Sequence, residues 1–217
     1  MPIENKIIEK KFVILCEGLD AQRFLISFLE SDLAKSIDSK LAEDVQVLDF
    51  GGITQLEMFL ANMQNMDGYR LVKKILVIRD AEHDSNGAIC SIHRSMEAVN
   101  LNAPKHLGVW SDGDVQTAMF LFPDFDSSDQ TGALEDLCIE LLDSEDKLIL
   151  KKAEIFLLNI QKTGRAFPRM FKNKLHTTLS ANDKFVGMKI GEAAQAGAFN
   201  WNNGKMRQFA EFISQKL

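Results

Sequence analysis

Short runs of aliphatic and β-branched residues punctuate the first part of the chain, and each stops at a polar or glycine-bearing turn. Phe12-Val13-Ile14-Leu15-Cys16 ends at Glu17-Gly18, and Val45-Gln46-Val47-Leu48 ends at Asp49-Phe50-Gly51-Gly52. Ile75-Leu76-Val77-Ile78 ends at Arg79-Asp80-Ala81-Glu82-His83-Asp84, and a run over 117–122 is stopped by Pro123. Runs this short, made mainly of aliphatic and β-branched residues, read as strands buried on both faces of a parallel sheet.

Between them the apolar spacing turns helical. Phe24, Leu25 and Phe28 mark a helix over 21–29 for which Asp20 is the expected cap. Leu56, Phe59, Leu60 and Met63 mark one over 55–65, with Thr54 as its cap. Asn86-Gly87 opens a third, to about residue 100, and 134–142 is a short fourth. The order β-α-β-α-β-α-β-α predicts an α/β fold: a parallel, Rossmann-like sheet with right-handed crossovers and helices on both faces. From Leu148 onward Ile149, Leu150, Ala153, Phe156, Leu157 and Ile160 form a helical stripe. A loop-rich stretch and a last helix over 205–214 follow. The expected organisation is an α/β domain over 1–147 and a mostly helical C-terminal extension, 148–217, packed on it.

Composition adds little to this picture, and charge adds more. Hydrophobic content of 46% and charged content of 26% are those of an ordinary globular chain. No stretch approaches the roughly 18 apolar residues of a membrane helix. The N-terminal Met1-Pro2-Ile3-Glu4-Asn5-Lys6 lacks the apolar core of a signal peptide, so the expectation is an intracellular, cytoplasmic protein. Cys16, Cys90 and Cys138 show no CxxC spacing and the four histidines no HExxH pair, which argues against structural zinc and a disulfide framework. The net charge of −6 hides an asymmetry. Residues 1–150 hold 13 Lys and Arg against 27 Asp and Glu, while residues 151–217 hold 12 against 4. A basic tail suits an anionic partner, or it simply packs on the acidic body.

The familiar nucleotide signatures are missing. There is no GxxxxGK[ST] P-loop, and the first strand ends in Glu-Gly-Leu-Asp rather than in a GxGxxG turn. A receiver domain would carry an acidic pair after the first strand and a lone Asp after the third, and here the numbers are reversed. No GxSxG elbow is present. What remains is a set of carboxylates beyond strand ends: Glu17 after the first, Asp80 and Glu82 after the third. Ligands of open α/β sheets bind outside those ends, and clustered carboxylates repel unless a cation sits among them.

Glu17-Gly18, the glycines at Gly51-Gly52 and Asp80-x-Glu82 together resemble the TOPRIM domain shared by topoisomerases, bacterial primases and several nuclease families. Those domains place a Glu-Gly after the first strand, a Gly-bearing turn after the second and an Asp-x-Asp after the third. Glu82 departs from that pattern by one methylene and still supplies oxygens. Phe122-Pro123-Asp124, followed by Thr131-Gly132-Ala133-Leu134-Glu135-Asp136-Leu137, is similar to a small TOPRIM-related family of prokaryotic proteins without an assigned function. The resemblance covers about residues 10–145.

The resemblance implies Mg²⁺ or Mn²⁺ held by Asp80 and Glu82. Glu17 would be a third ligand or the catalytic acid/base, and Glu135 and Asp136 would hold a second ion. The simpler alternatives are that Asp20 and Asp84 cap helices and that Glu135-Asp136 answers a helix dipole. In the tail, Lys162, Arg165, Arg169, Lys172 and Lys174 stand beside Phe167 and Phe171, a mixture suited to nucleic acid, DNA or RNA. A topoisomerase would need a nucleophilic tyrosine on a further large domain, and a primase usually brings a zinc module. Neither fits a chain whose single tyrosine is Tyr69. The expected function is Mg²⁺-dependent phosphodiester hydrolysis. The alternatives are a non-catalytic TOPRIM-like module that binds metal, nucleotide or nucleic acid and, more weakly supported, a small-molecule phosphatase.

Overall fold

All four apolar runs become strands of one parallel sheet in the computed structural model, which describes residues 7–215. The segment 1–6, on which the absence of a signal peptide was read, lies outside the described residues. β1 (Phe12–Cys16), β2 (Val45–Asp49), β3 (Lys74–Asp80) and β4 (Gln116–Phe122) stand in the spatial order β2-β1-β3-β4. Phe12, Ile14 and Cys16 enter one buried cluster and Val13 and Leu15 another, as the pleat requires of a strand covered on both faces.

Helices supply both covers. α1 (Leu19–Leu29), α2 (Asp32–Ile37) and α3 (Leu41–Asp44) lie on the first face, and α4 (Leu56–Met63) and α5 (Ser85–Ala98) on the second. The chain steps outward from β1 to β2 and then returns past β1 to β3. Two right-handed crossovers in opposite directions must put α1 and α4 on opposite faces. The reversal opens a crevice outside the carboxyl ends of β1 and β3, the place where such sheets bind ligands.

Beyond β4 come α6 (Leu134–Glu140), α7 (Ser144–Gln161), α8 (Met170–Ser180), α9 (Ile190–Gln195) and α10 (Gly204–Ile213). Leu175, Leu179, Ile190, Phe199 and Phe209 share the buried cluster of Phe12 and Ile14, so the tail helices finish the first face. The contact between α1 and α9 depends on Gly191, where a Cβ would stand 2.6 Å from Arg23 Cβ. Across it Asp20 Oδ1 accepts a hydrogen bond from Gly191 N–H at 3.0 Å, and Arg23 meets Glu192 at 3.0 Å.

Several local expectations are corrected. Asp20 does not cap α1, which starts earlier, at Leu19, and uses no side-chain cap; the Asp20 carboxylate is taken by α9 instead. Thr54 does not cap α4, because Ile53–Gln55 forms a 3₁₀ turn that leads into it. Asp84 does cap α5, accepting from Gly87 N–H at 2.9 Å. The stripe on α7 buries only Ala153 and Leu157 and leaves Phe156 56% exposed, although α8 packs against the helix. Among the described residues, no helix is long and apolar enough to cross a membrane.

Candidate functional site

Two glycine turns shape the crevice, and one carboxylate ties them together. Gly18 follows β1 with φ 90° and ψ 155°, a conformation that is essentially glycine-only. Its N–H donates to Asp49 Oδ1 at 2.8 Å, and Gly51 N–H donates to the same oxygen at 2.7 Å. Asp49 therefore fixes the turn that presents Glu17. A Cβ at Gly18 would meet nothing within 4 Å, so Gly18→Ala isolates backbone strain. It is expected to lower unfolding free energy by about 1–3 kcal/mol with an unchanged m-value in urea. An unaltered midpoint would show that the turn relaxes.

β3 carries the next two groups on opposite pleats. Arg79 is 3% exposed, and its Nε lies 3.6 Å from Glu17 Oε2. Burial lowers the pKa of this guanidinium, while the charges of Glu17, Asp80 and Glu82 oppose the shift. Asp80 Oδ1 accepts from Leu134 N–H, at the start of α6, at 2.9 Å. Burial pushes the Asp80 carboxyl up to about 7, helped by Glu135, Glu17 and Glu82 and opposed by the Leu134 hydrogen bond.

Glu82 is exposed and left-handed, at φ 53°, an uncommon state for a residue with a side chain. Paired backbone hydrogen bonds with Gly132, at 2.7 and 2.8 Å, hold it there. Gly132 has no room for a Cβ, which would come within 2.7 Å of Asp136 Oδ2. The Thr131-Gly132-Ala133 stretch thus clamps the end of β3 to the start of α6.

α6 splits its two acids. Glu135 is 5% exposed and faces the crevice, whereas Asp136 turns back to accept from Ala133 N–H at 2.9 Å. Burial raises the Asp136 carboxyl above its ordinary range, with Glu135 and Glu140 adding to the shift. Asp136 therefore serves the start of α6, while Glu135 lines the cavity.

A cavity of about 220 Å³ results, lined by the acids Glu17, Asp20, Asp80 and Glu135 and by Lys172 and Lys189. As the side chains stand, no three His, Cys, Asp or Glu among the described residues are grouped to hold one ion. Carboxylates repel one another, and here Glu17 turns to Arg79, Asp80 to the Leu134 N–H and Glu135 to Lys172.

The tail cations do not form one basic surface. Lys172 Nζ lies 2.8 Å from Glu135 Oε1, and Lys174 Nζ lies 2.5 Å from Glu154 Oε1. Lys162, Arg165 and Arg169 are exposed around the α7–α8 connection, with Phe167 and Phe171 half-buried beside them. Lys172 and Lys174, remote from any acid in sequence, each meet one in space.

A profile described as a protein of unknown function, DUF3226, matches residues 11–217. The chain belongs to this family. The DUF3226 match runs from β1 through α10, so it takes in the sheet, the cavity and the tail helices alike. No curated protein and no solved structure matches the chain.

Sequence reasoning missed Arg79, Asp49 and Lys189. A signal existed for the first two: an arginine closing an aliphatic strand, and an aspartate just ahead of paired glycines. Lys189 carries no such mark and is found only by where α9 docks.

Proposed function

We propose that the chain is a divalent-metal-dependent phosphodiester hydrolase acting on nucleic acid, of TOPRIM-like kind, and that it works in the cytoplasm. One observation carries this reading: a single cavity at the switch point of the sheet is lined by four carboxylates and two lysines. Carboxylates suit a hard cation, and ammonium groups suit phosphate oxygens. The donor set fits Mg²⁺ or Mn²⁺, since neither His nor Cys lines the cavity. Mg²⁺ commonly takes only one or two protein carboxylates, with water and substrate phosphates completing its shell. Asp80 and Glu135, which both line the cavity, are the two that would hold it.

A bound ion would polarise a water and offset the charge that develops on the phosphate. The protein's own part is orientation and proton transfer. The Leu134 N–H fixes Asp80, and Arg79 holds Glu17 at the cavity edge. Glu17 takes the proton of the water attacking phosphorus; the new P–O bond forms as the bond to the leaving oxygen breaks, and that oxygen takes up a proton from solvent water as it leaves. Lys172 and Lys189 bind the non-bridging oxygens.

The test is a Mg²⁺ and Mn²⁺ cleavage panel over single-stranded and duplex DNA and RNA. Metal-dependent cleavage is expected, reduced about 10²–10⁴-fold in Glu17→Gln. The second reading, a non-catalytic module binding the same ligands, is favoured by the internal pairing of Glu17 with Arg79 and of Glu135 with Lys172. Metal-dependent binding without cleavage of any substrate would decide for it.

A further inference from the structure

Glu135 is the most deeply buried carboxylate of the cavity, and its charge is met from the tail. The ion pair with Lys172 is lopsided: the Glu135 side chain is 7% exposed and the Lys172 side chain 42%. The carboxylate is fixed on α6, whereas the ammonium ends a flexible four-carbon stem with open solvent beside it. α8, which carries Lys172, is anchored through Leu175 and Leu179. Swinging the stem away therefore requires no movement of the helix. Lys189 also lines the cavity.

We propose that Lys172 is an exchangeable internal cation whose two successive partners are Glu135 and a substrate phosphate. While no metal is bound it neutralises Glu135. Metal entering beside Asp80 and Glu135 displaces it, and the released ammonium joins Lys189 on the phosphate oxygens. The inference rests on the metal-dependent reading above. One side chain thus opposes metal in the absence of phosphate and binds phosphate in the presence of metal. Metal and phosphate must then strengthen each other's binding by the same factor, since coupling between two sites is reciprocal.

Calorimetry with Mn²⁺ and inorganic phosphate on the full chain tests the exchange. Lys172→Met keeps much of the stem and removes the charge. It is expected to tighten Mn²⁺ binding measured without phosphate and to weaken phosphate binding measured with saturating Mn²⁺. Each change should be about fivefold or more, the lower end of ordinary coupling between sites. Lys172→Arg replaces the mobile ammonium with a fork that grips carboxylates in two places, so it should weaken Mn²⁺ binding and keeps the test alive if the Met variant folds poorly. Lys174→Met, on Glu154 outside the cavity, should change neither affinity.

If the wild type binds no metal, the functional reading itself fails. If it binds metal and Lys172→Met leaves that affinity unchanged or weaker, the exchange is overturned and the metal site stands. Tighter metal with unaltered phosphate affinity would remove the phosphate half of the proposal.

Discussion

Titrating the wild-type chain with Mg²⁺ or Mn²⁺ will raise its melting temperature, and Asp80→Asn will abolish the rise while leaving the metal-free protein as stable or more so. A ligand bound only by the folded state adds about 2.7 kcal/mol at a hundredfold excess over Kd. For a chain of this length that corresponds to about 5–10 °C. The sign for the metal-free protein follows from the raised pKa of Asp80. Its carboxyl is pushed up to about 7 by burial first and by neighbouring carboxylates second. Between about pH 4 and pH 7 the folded chain keeps a proton that the unfolded chain releases, so stability falls as pH rises through that window. The Asn side chain accepts the same Leu134 hydrogen bond without the charge. The stability gain of Asp80→Asn over wild type should therefore grow from pH 5 to pH 8. A metal-induced shift that survives Asp80→Asn, or no shift in the wild type at millimolar metal, would remove Asp80 from the site.

Phe209→Ala will be among the most damaging single substitutions, although Phe209 stands on the last helix and does not line the candidate-site cavity. Phe209 is 1% exposed, and its ring stacks on Phe125 with centroids 4.5 Å apart and planes 3° from parallel. Phe28 of α1 and Phe120 of β4 stand at 5.6 and 5.5 Å. Truncating so enclosed a ring costs about 3–5 kcal/mol, through lost transfer free energy and the cavity left behind. Phe156→Ala is the control, since that ring is 56% exposed on α7, and it should stay within about 0.5 kcal/mol. Both values come from urea unfolding. Equal costs would mean that α10 is an appendage, and a large difference means that it belongs to the cooperative core.

The sheet was legible in the chain because a strand buried on both faces needs only local information: a short aliphatic run and a polar stop. β1, β3 and β4 answer to that signal within a residue or a few, and so does the position of Glu17 just past β1 and of Asp80 at the end of β3. That both stand at one crevice follows from the strand order β2-β1-β3-β4. A parallel α/β order makes such a convergence expected, and right-handed crossovers allow few alternatives.

Tertiary structure decided what surrounds those carboxylates, because partners separated widely in sequence leave no periodic trace. Asp20 has every sequence attribute of a helix cap, yet it accepts from Gly191, 171 positions away, because α9 packs closely enough to compete for it. Lys172 reads as a solvated cation in a stretch without acids, yet it stands on Glu135 because α8 docks against α6. The adjacent acids Glu135 and Asp136 look equivalent in sequence. The turn of the helix sends one into the cavity and the other back onto the Ala133 N–H. The local pattern of the chain determined where acids leave the sheet. The docking of remote helices decided which of them are paired, which are buried and which face the same space, since electrostatic partnership depends on distance through space and not on distance along the chain.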